Sequence, residues 1–227
     1  MSIGDPDRLE VSQVLREASA LVGAHPLAFI LATAIYTGFG VWIDDQDPSW
    51  TAQLTMLIAP VILQGLLQYL LLRNAFGDVA GGWAGRALAP VIVVTLQLGL
   101  WTVIGLGYML LLLPGLYLAA RMSAALGIAS VERAGLLASI AGSWRRTRAS
   151  VWPLVMVHAI LLFPVVALLV GLFAAAFMGQ GVAYESIEFR VITNLAFGVV
   201  TMAGWAVVGA VYRLTIPSHG THEDVFG

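Results

Sequence analysis

Long apolar runs alternate with short polar segments along most of this chain. The runs fall at about 27–43, 52–72, 88–112, 115–131, 152–178 and 191–212. Each is close to the roughly 20 residues that a helix needs to cross a bilayer. The sequence-predicted architecture is therefore an all-α, polytopic transmembrane bundle of six spans. It forms a single membrane domain over 1–213, followed by a polar tail at 214–227. Two further segments have helical rather than continuous apolar patterning. In 8–22, Val11, Val14, Leu15, Ala18, Leu21 and Val22 recur at helical spacing, with Glu10, Gln13 and Glu17 turned away. This predicts an amphipathic helix before span 1 that lies in the interface or prolongs the span, with Pro26 marking the break. Before span 5, Leu136, Leu137, Ile140 and Trp144 share one face, with Gly135, Ser139 and Ser143 largely opposite, which predicts a second interfacial helix.

Composition agrees. Hydrophobic residues make up 59% and charged residues 11% of the 227, against about 25% charged in a soluble domain. Mean hydropathy is +0.90. The N-terminal MSIGDPDRLE is acidic and precedes no apolar cleavage region, so it is not expected to act as a cleavable signal. A net charge of −2 offers no basic field for nucleic acid. With no cysteine, disulfides, thiolate nucleophiles and Cys-ligated metals are excluded. All 11 basic residues are Arg, which together with abundant Ala, Gly and Val points to GC-rich bacterial coding.

Arg placement predicts orientation. With the N-terminus cytoplasmic, the inner segments hold nine arginines: Arg8, Arg16, Arg73, Arg86, Arg133, Arg145, Arg146, Arg148 and Arg213. The outer loops hold only Arg190. That bias predicts both termini cytoplasmic in a bacterial inner membrane. A single kinked helix over 88–131 would leave five spans and strand the Arg145–Arg148 cluster outside.

Arg121 is the one charge within a span. It lies six residues past the expected outer turn at Pro114-Gly115. The structural expectation pairs it with an outer acid (Asp44, Asp45, Asp47, Glu185 or Glu188), or with Gln and backbone carbonyls. The functional expectation gives it a lipid phosphate or other anionic ligand. Gln64 and Gln68 share a face of span 2, and Gln97 lies in span 3; such residues serve as interhelical hydrogen-bond glue or line a polar path. His158 and Asn194 are further polar residues within spans, and a lone His is more often a satisfied core residue. No span contains Asp or Glu, which counts against proton- or sodium-coupled transport. Arg145, Arg146 and Arg148 form a topology signal that also suits anionic lipid headgroups. Small residues at four-residue spacing mark packing faces: Ala119, Ser123 and Gly127 in span 4, and Ala167, Gly171, Ala175 and Gly179 in span 5. The two spans are expected to pack together, or to form a homo-oligomer contact. No P-loop, HExxH or GxSxG occurs, so no catalytic residue is assigned. No cofactor is implied. His219, His222, Glu223 and Asp224 read as a solvated tail rather than a metal site.

Residues 113–152, LPGLYLAARMSAALGIASVERAGLLASIAGSWRRTRASVW, carry Pro114-Gly115, Arg121, Glu132, Ser143-Trp144, Thr147-Arg148 and Trp152 in order. This pattern resembles the integral membrane domain of glycerophosphoryl diester phosphodiesterases and its stand-alone bacterial relatives. The N-terminal V..VLREA and the C-terminal EDVFG are similar too. Some relatives carry Pro after the Arg where this chain has Ala124-Ala125. The resemblance implies a six-helix inner-membrane bundle. It is not expected to bring phosphodiesterase activity, because no soluble catalytic barrel is read within these 227 residues. The expected function is thus a non-enzymatic membrane protein that binds lipids or partner proteins. The alternative is a permease or transporter subunit for an anionic lipid-like or glycerophosphodiester solute.

Overall fold

The computed structural model describes residues 8–45, 50–77, 83–177 and 186–216. Every regular element among the described residues is helical. These are α1 (Val11–Ala24), α2 (Pro26–Asp44), α3 (Trp50–Phe76), α4 (Trp83–Leu110), α5 (Leu112–Met122), α6 (Ala125–Gly127), α7 (Leu136–Arg146), α8 (Val151–Phe177) and α9 (Ile187–Thr215). A π-helical turn, Ile128–Glu132, prolongs α6, and a 3₁₀ turn, Arg148–Ser150, precedes α8. Among the described residues, five segments are long and apolar enough to cross a membrane: Pro26–Asp44, Leu88–Leu110, Leu112–Glu132, Arg148–Leu172 and Ile187–Thr215. The 27-residue α3 also has the length to cross.

Many large apolar side chains face outward, while small and polar ones are buried inside beside core residues such as Leu96, Leu154 and Tyr212. Met109, Phe163 and Phe177 are exposed, whereas Ala120, Ala124, Ala125, Ala129, Ser139 and Ser143 are fully buried. Lipid supplies no hydrophobic drive between helices, so close backbone packing of small residues holds such a bundle together. α2 and α9 run antiparallel. Arg190 pairs with Asp45 at one end (2.8 Å), and the hydroxyl of Thr37 lies against Gly198 further along. At the other end of α9, Arg213 pairs with Glu17 of α1 (2.7 Å).

Three expectations about the elements change. First, α1 is a separate helix docked on protein. His25 ends it outside helical geometry, and Pro26 occupies the first turn of α2, where a missing N–H costs nothing. Its apolar face, Val14, Ala18 and Leu21, is buried, and α1 packs on α9 and α8. Leu21 reaches Gly209, where an added Cβ would meet it at 3.1 Å. Second, the break between α4 and α5 falls at extended Leu111, and Pro114 lies within the first turn of α5. The hairpin closes on glycine: a Cβ on Gly107 would come within 2.9 Å of the Gly115 Cα. Third, α7 is folded into the bundle. Arg133 in the left-handed region (φ 54°) reverses the chain after the π-helical turn. The serine face of α7 is then buried, while Leu137 and Trp144 face out. The serines turn inward because they have backbone groups to satisfy there.

Candidate functional site: a glutamine-lined cavity and a capped arginine

A cavity of about 400 Å³ opens between α3 and α4 on one side and α8 and α9 on the other, with α5 and α6 completing its wall. Gln64 and Gln68 are one turn apart and share a helix face. Gly65 lets α4 approach closely, since a Cβ there would stand 3.1 Å from the Val94 Cα. One turn further along α4, Gln97 joins the same wall. All three glutamines are buried, Gln68 to 1% exposure. Gln64 Oε1, Gln68 Oε1, Gln68 Nε2 and Gln97 Oε1 have no hydrogen-bond partner among the described residues. A buried amide left unpaired costs about 1–3 kcal/mol, which favours polar contents in the adjoining cavity.

The rest of the wall is largely apolar and aromatic: Leu100, Trp101, Ile104, Tyr108, Leu126 and Trp205. Trp101 is 53% exposed, which places it at the rim. Among the described residues no Asp, Glu, Lys or Arg lines the cavity. His158 Nδ1 donates to Leu154 O (2.8 Å), which leaves Nε2 of the neutral ring as an acceptor. Ser123 also lines the wall, but its hydroxyl donates to the carbonyls of Ala119 (3.0 Å) and Ala120 (2.6 Å).

Arg121 lies outside this wall. Its guanidinium stacks on the Trp144 indole, 4.1 Å from Cζ to the ring centroid, and Tyr117 meets the same indole edge-on at 6.1 Å. Its position follows from a helix break. α5 stops at Met122 and α6 starts at Ala125, so the Arg121 carbonyl and the Ala124 N–H lack the usual helical partners. Ser143 Oγ donates to the Arg121 carbonyl (2.8 Å) and accepts from Ala124 N (3.1 Å), and Thr147 Oγ1 donates to the same carbonyl (3.2 Å). α7 thereby splices the break and lays Trp144 over the charge.

The expected outer-acid partner is a different matter. Asp45 is engaged by Arg190 and Asp44 by Asn194 (2.7 Å), while Asp47 and Glu185 lie outside the described residues. Gly127, two turns from Arg121, packs on Tyr212, 22 positions along α9 from Arg190. At 1.5 Å per residue those levels are about 33 Å apart and Gly127 is about 9 Å from Arg121, so Arg121 stands more than about 20 Å from the level of Asp44 and Asp45.

The remaining sequence candidates separate. Arg146 makes a two-point ion pair with Glu132 (2.7 and 3.0 Å). Arg145 and Arg148 are exposed. Ala119 lines the cavity, and Gly127 admits the Tyr212 ring. α5 and α8 do pack together, with Leu154, Val155 and Val157 in one cluster with Leu116 and Ala120. The small-residue face of α8 takes little part. Ala167 and Gly171 are exposed, nothing lies within 4 Å of a Cβ at Gly171, and Ala175 is half-buried. Gly179 and the tail residues His219, His222, Glu223 and Asp224 lie outside the described residues. Among the described residues no metal-binding group of His, Cys, Asp or Glu occurs.

Sequence reasoning passed over Thr201, Trp205 and Val208. Thr201 and Trp205 lie one turn apart on α9 and Trp205 and Val208 three residues apart, a helical face readable in retrospect. Comparison with family models, curated proteins and solved structures finds no match to this chain.

Proposed function

We propose that this chain is a six-span bacterial inner-membrane protein that binds a small uncharged amphiphile in its central cavity. In this reading α3 is the sixth crossing, both termini are cytoplasmic, and the protein is not an enzyme. The four unpartnered amide atoms of Gln64, Gln68 and Gln97 carry the reading. A cavity of about 400 Å³ falls within the common range for small-molecule sites, and mixed aromatic walls with a few convergent polar groups are usual there. The ligand's polar head meets the amides, and its apolar body lies on Trp101, Tyr108 and Trp205. The wall carries no formal charge, and Arg121 stands outside it. That favours a neutral ligand over the anionic solute expected of a permease. Trp101 at the rim supports access from the lipid side.

The test is Gln68→Met, which removes both unpartnered amide atoms at nearly constant volume. Protein purified in mild detergent is extracted, and its small molecules are identified by mass spectrometry. The wild type is expected to carry a neutral amphiphile that Gln68→Met has lost, although the variant is as stable or more so. If the wild type carries none, the cavity holds only water, and a scaffold role stands in place of ligand binding.

A further inference from the structure

Arg121 presents a separate problem that the cavity does not solve. It is 3% exposed, yet Nε and Nη1 have no hydrogen-bond partner. Nε shares one two-donor edge of the guanidinium with Nη2, and Nη1 shares the other, so neither edge is fully used. Stacking on Trp144 contributes attraction but accepts neither N–H in the guanidinium plane. Glu132, a carboxylate of the same region, is committed to Arg146. Arg148 directly follows Thr147, whose hydroxyl reaches the Arg121 carbonyl, so a second cation lies in the same region. A permanent cation with free donors, another cation nearby and no acid of its own among the described residues is missing an anion.

The site is also close to the perimeter. The indole over the guanidinium is itself 39% exposed, and Tyr117 beside it is 40% exposed. One side chain therefore separates the charge from its surroundings. Arg145, next to Trp144 in α7, and Arg148, in the 3₁₀ turn that follows, are both exposed and attract anions towards the indole.

We infer that Arg121 is a binding site for a phosphoryl oxyanion, with the Trp144 indole as its lid. The oxyanion takes the Nε and Nη1 donors when the indole turns aside, and the surface arginines raise its local concentration. A membrane phospholipid headgroup and a soluble phosphate ester share this chemistry.

Native mass spectrometry in neutral detergent separates the possibilities, with phosphatidylglycerol as one probe and glycerol 3-phosphate as the other. Wild type is expected to bind one oxyanion per chain. Arg121→Lys keeps the cation over the indole but loses the planar fork, and is expected to bind at least about tenfold more weakly. Arg121→Gln is expected to lose binding. Arg145→Gln/Arg148→Gln is expected to keep the single tight site and shed only weaker adducts. Melting temperatures recorded with and without each probe guard against misfolding: at equal probe concentration the ligand should raise that of the wild type more than that of Arg121→Lys. Binding of phosphatidylglycerol alone identifies a lipid as the source, and binding of glycerol 3-phosphate a soluble ester. Equal binding by wild type and Arg121→Lys, loss only in the Arg145/Arg148 variant, or no binding of either probe overturns the inference.

Discussion

Gly127 is confined to glycine by the tyrosine beside it. An added Cβ would lie 2.6 Å from both Cβ and Cγ of Tyr212, and Tyr212 is itself buried. Gly127→Ala is therefore expected to destabilise by about 1–3 kcal/mol, as overpacking does, measured by denaturant titration in mixed micelles. Gly171→Ala, in open space on α8, is expected to be neutral or slightly stabilising in the same assay. The two glycines look alike in the sequence, because a four-residue spacing marks a close-packing face without saying which neighbour occupies it. The same holds for Arg121. Its permanent charge in an apolar run marked it as unusual, and its depth along the helix suggested an outer acid as partner. The structure supplies an indole 23 positions away instead, because the helix break at Ser123-Ala124 and the reversal at Arg133 together bring α7 back. Ser143→Ala removes the hydroxyl that serves both sides of that break. It is expected to cost about 1–3 kcal/mol, since Ala124 N–H is left buried without a partner.

At the scale of elements, α7 and α1 show how a face can be recognised and its partner mistaken. In α7 the apolar residues do form one face and the serines another. In water the serine face would turn to solvent. Here Ser139, Ser143 and Thr147 turn inward because broken-helix carbonyls and N–H groups need partners there. α1 was legible as an amphipathic helix ended before Pro26, but its apolar face lies on α9 rather than in the lipid interface. Leu21→Ala opens a void beside Gly209 and is expected to lower stability by about 2–4 kcal/mol. Leu27→Ala, at an exposed position of α2, is expected to change little in the same titration.

For the whole molecule, the absence of native cysteine makes topology directly measurable. Single cysteines introduced at Ser12 and Glu188, both exposed, place a thiol at either end of the bundle. In intact cells a membrane-impermeant maleimide is expected to label Glu188→Cys and to reach Ser12→Cys only after lysis. Labelling of both in intact cells would refute the six-span arrangement with its N-terminus inside. The cavity also belongs to this scale. Gln64, Gln68 and Gln97 could be named from the sequence as polar residues at odds with their apolar spans. Their convergence needs the approach of α4 to α3 at Gly65, together with the wall from α9.

The sequence by itself determined the helical class, the approximate segments and the polar residues that conflict with an apolar setting. These follow from local quantities: apolar run length, helical periodicity, and side chains that cannot shed a charge or a hydrogen-bonding group. Only the tertiary structure decided which of those residues meet. It grouped the three glutamines around one cavity, set Arg121 apart beneath Trp144, and left Gly171 without a neighbour. Such pairings depend on the crossing and level of helices distant in the chain, which periodicity along a single helix does not encode.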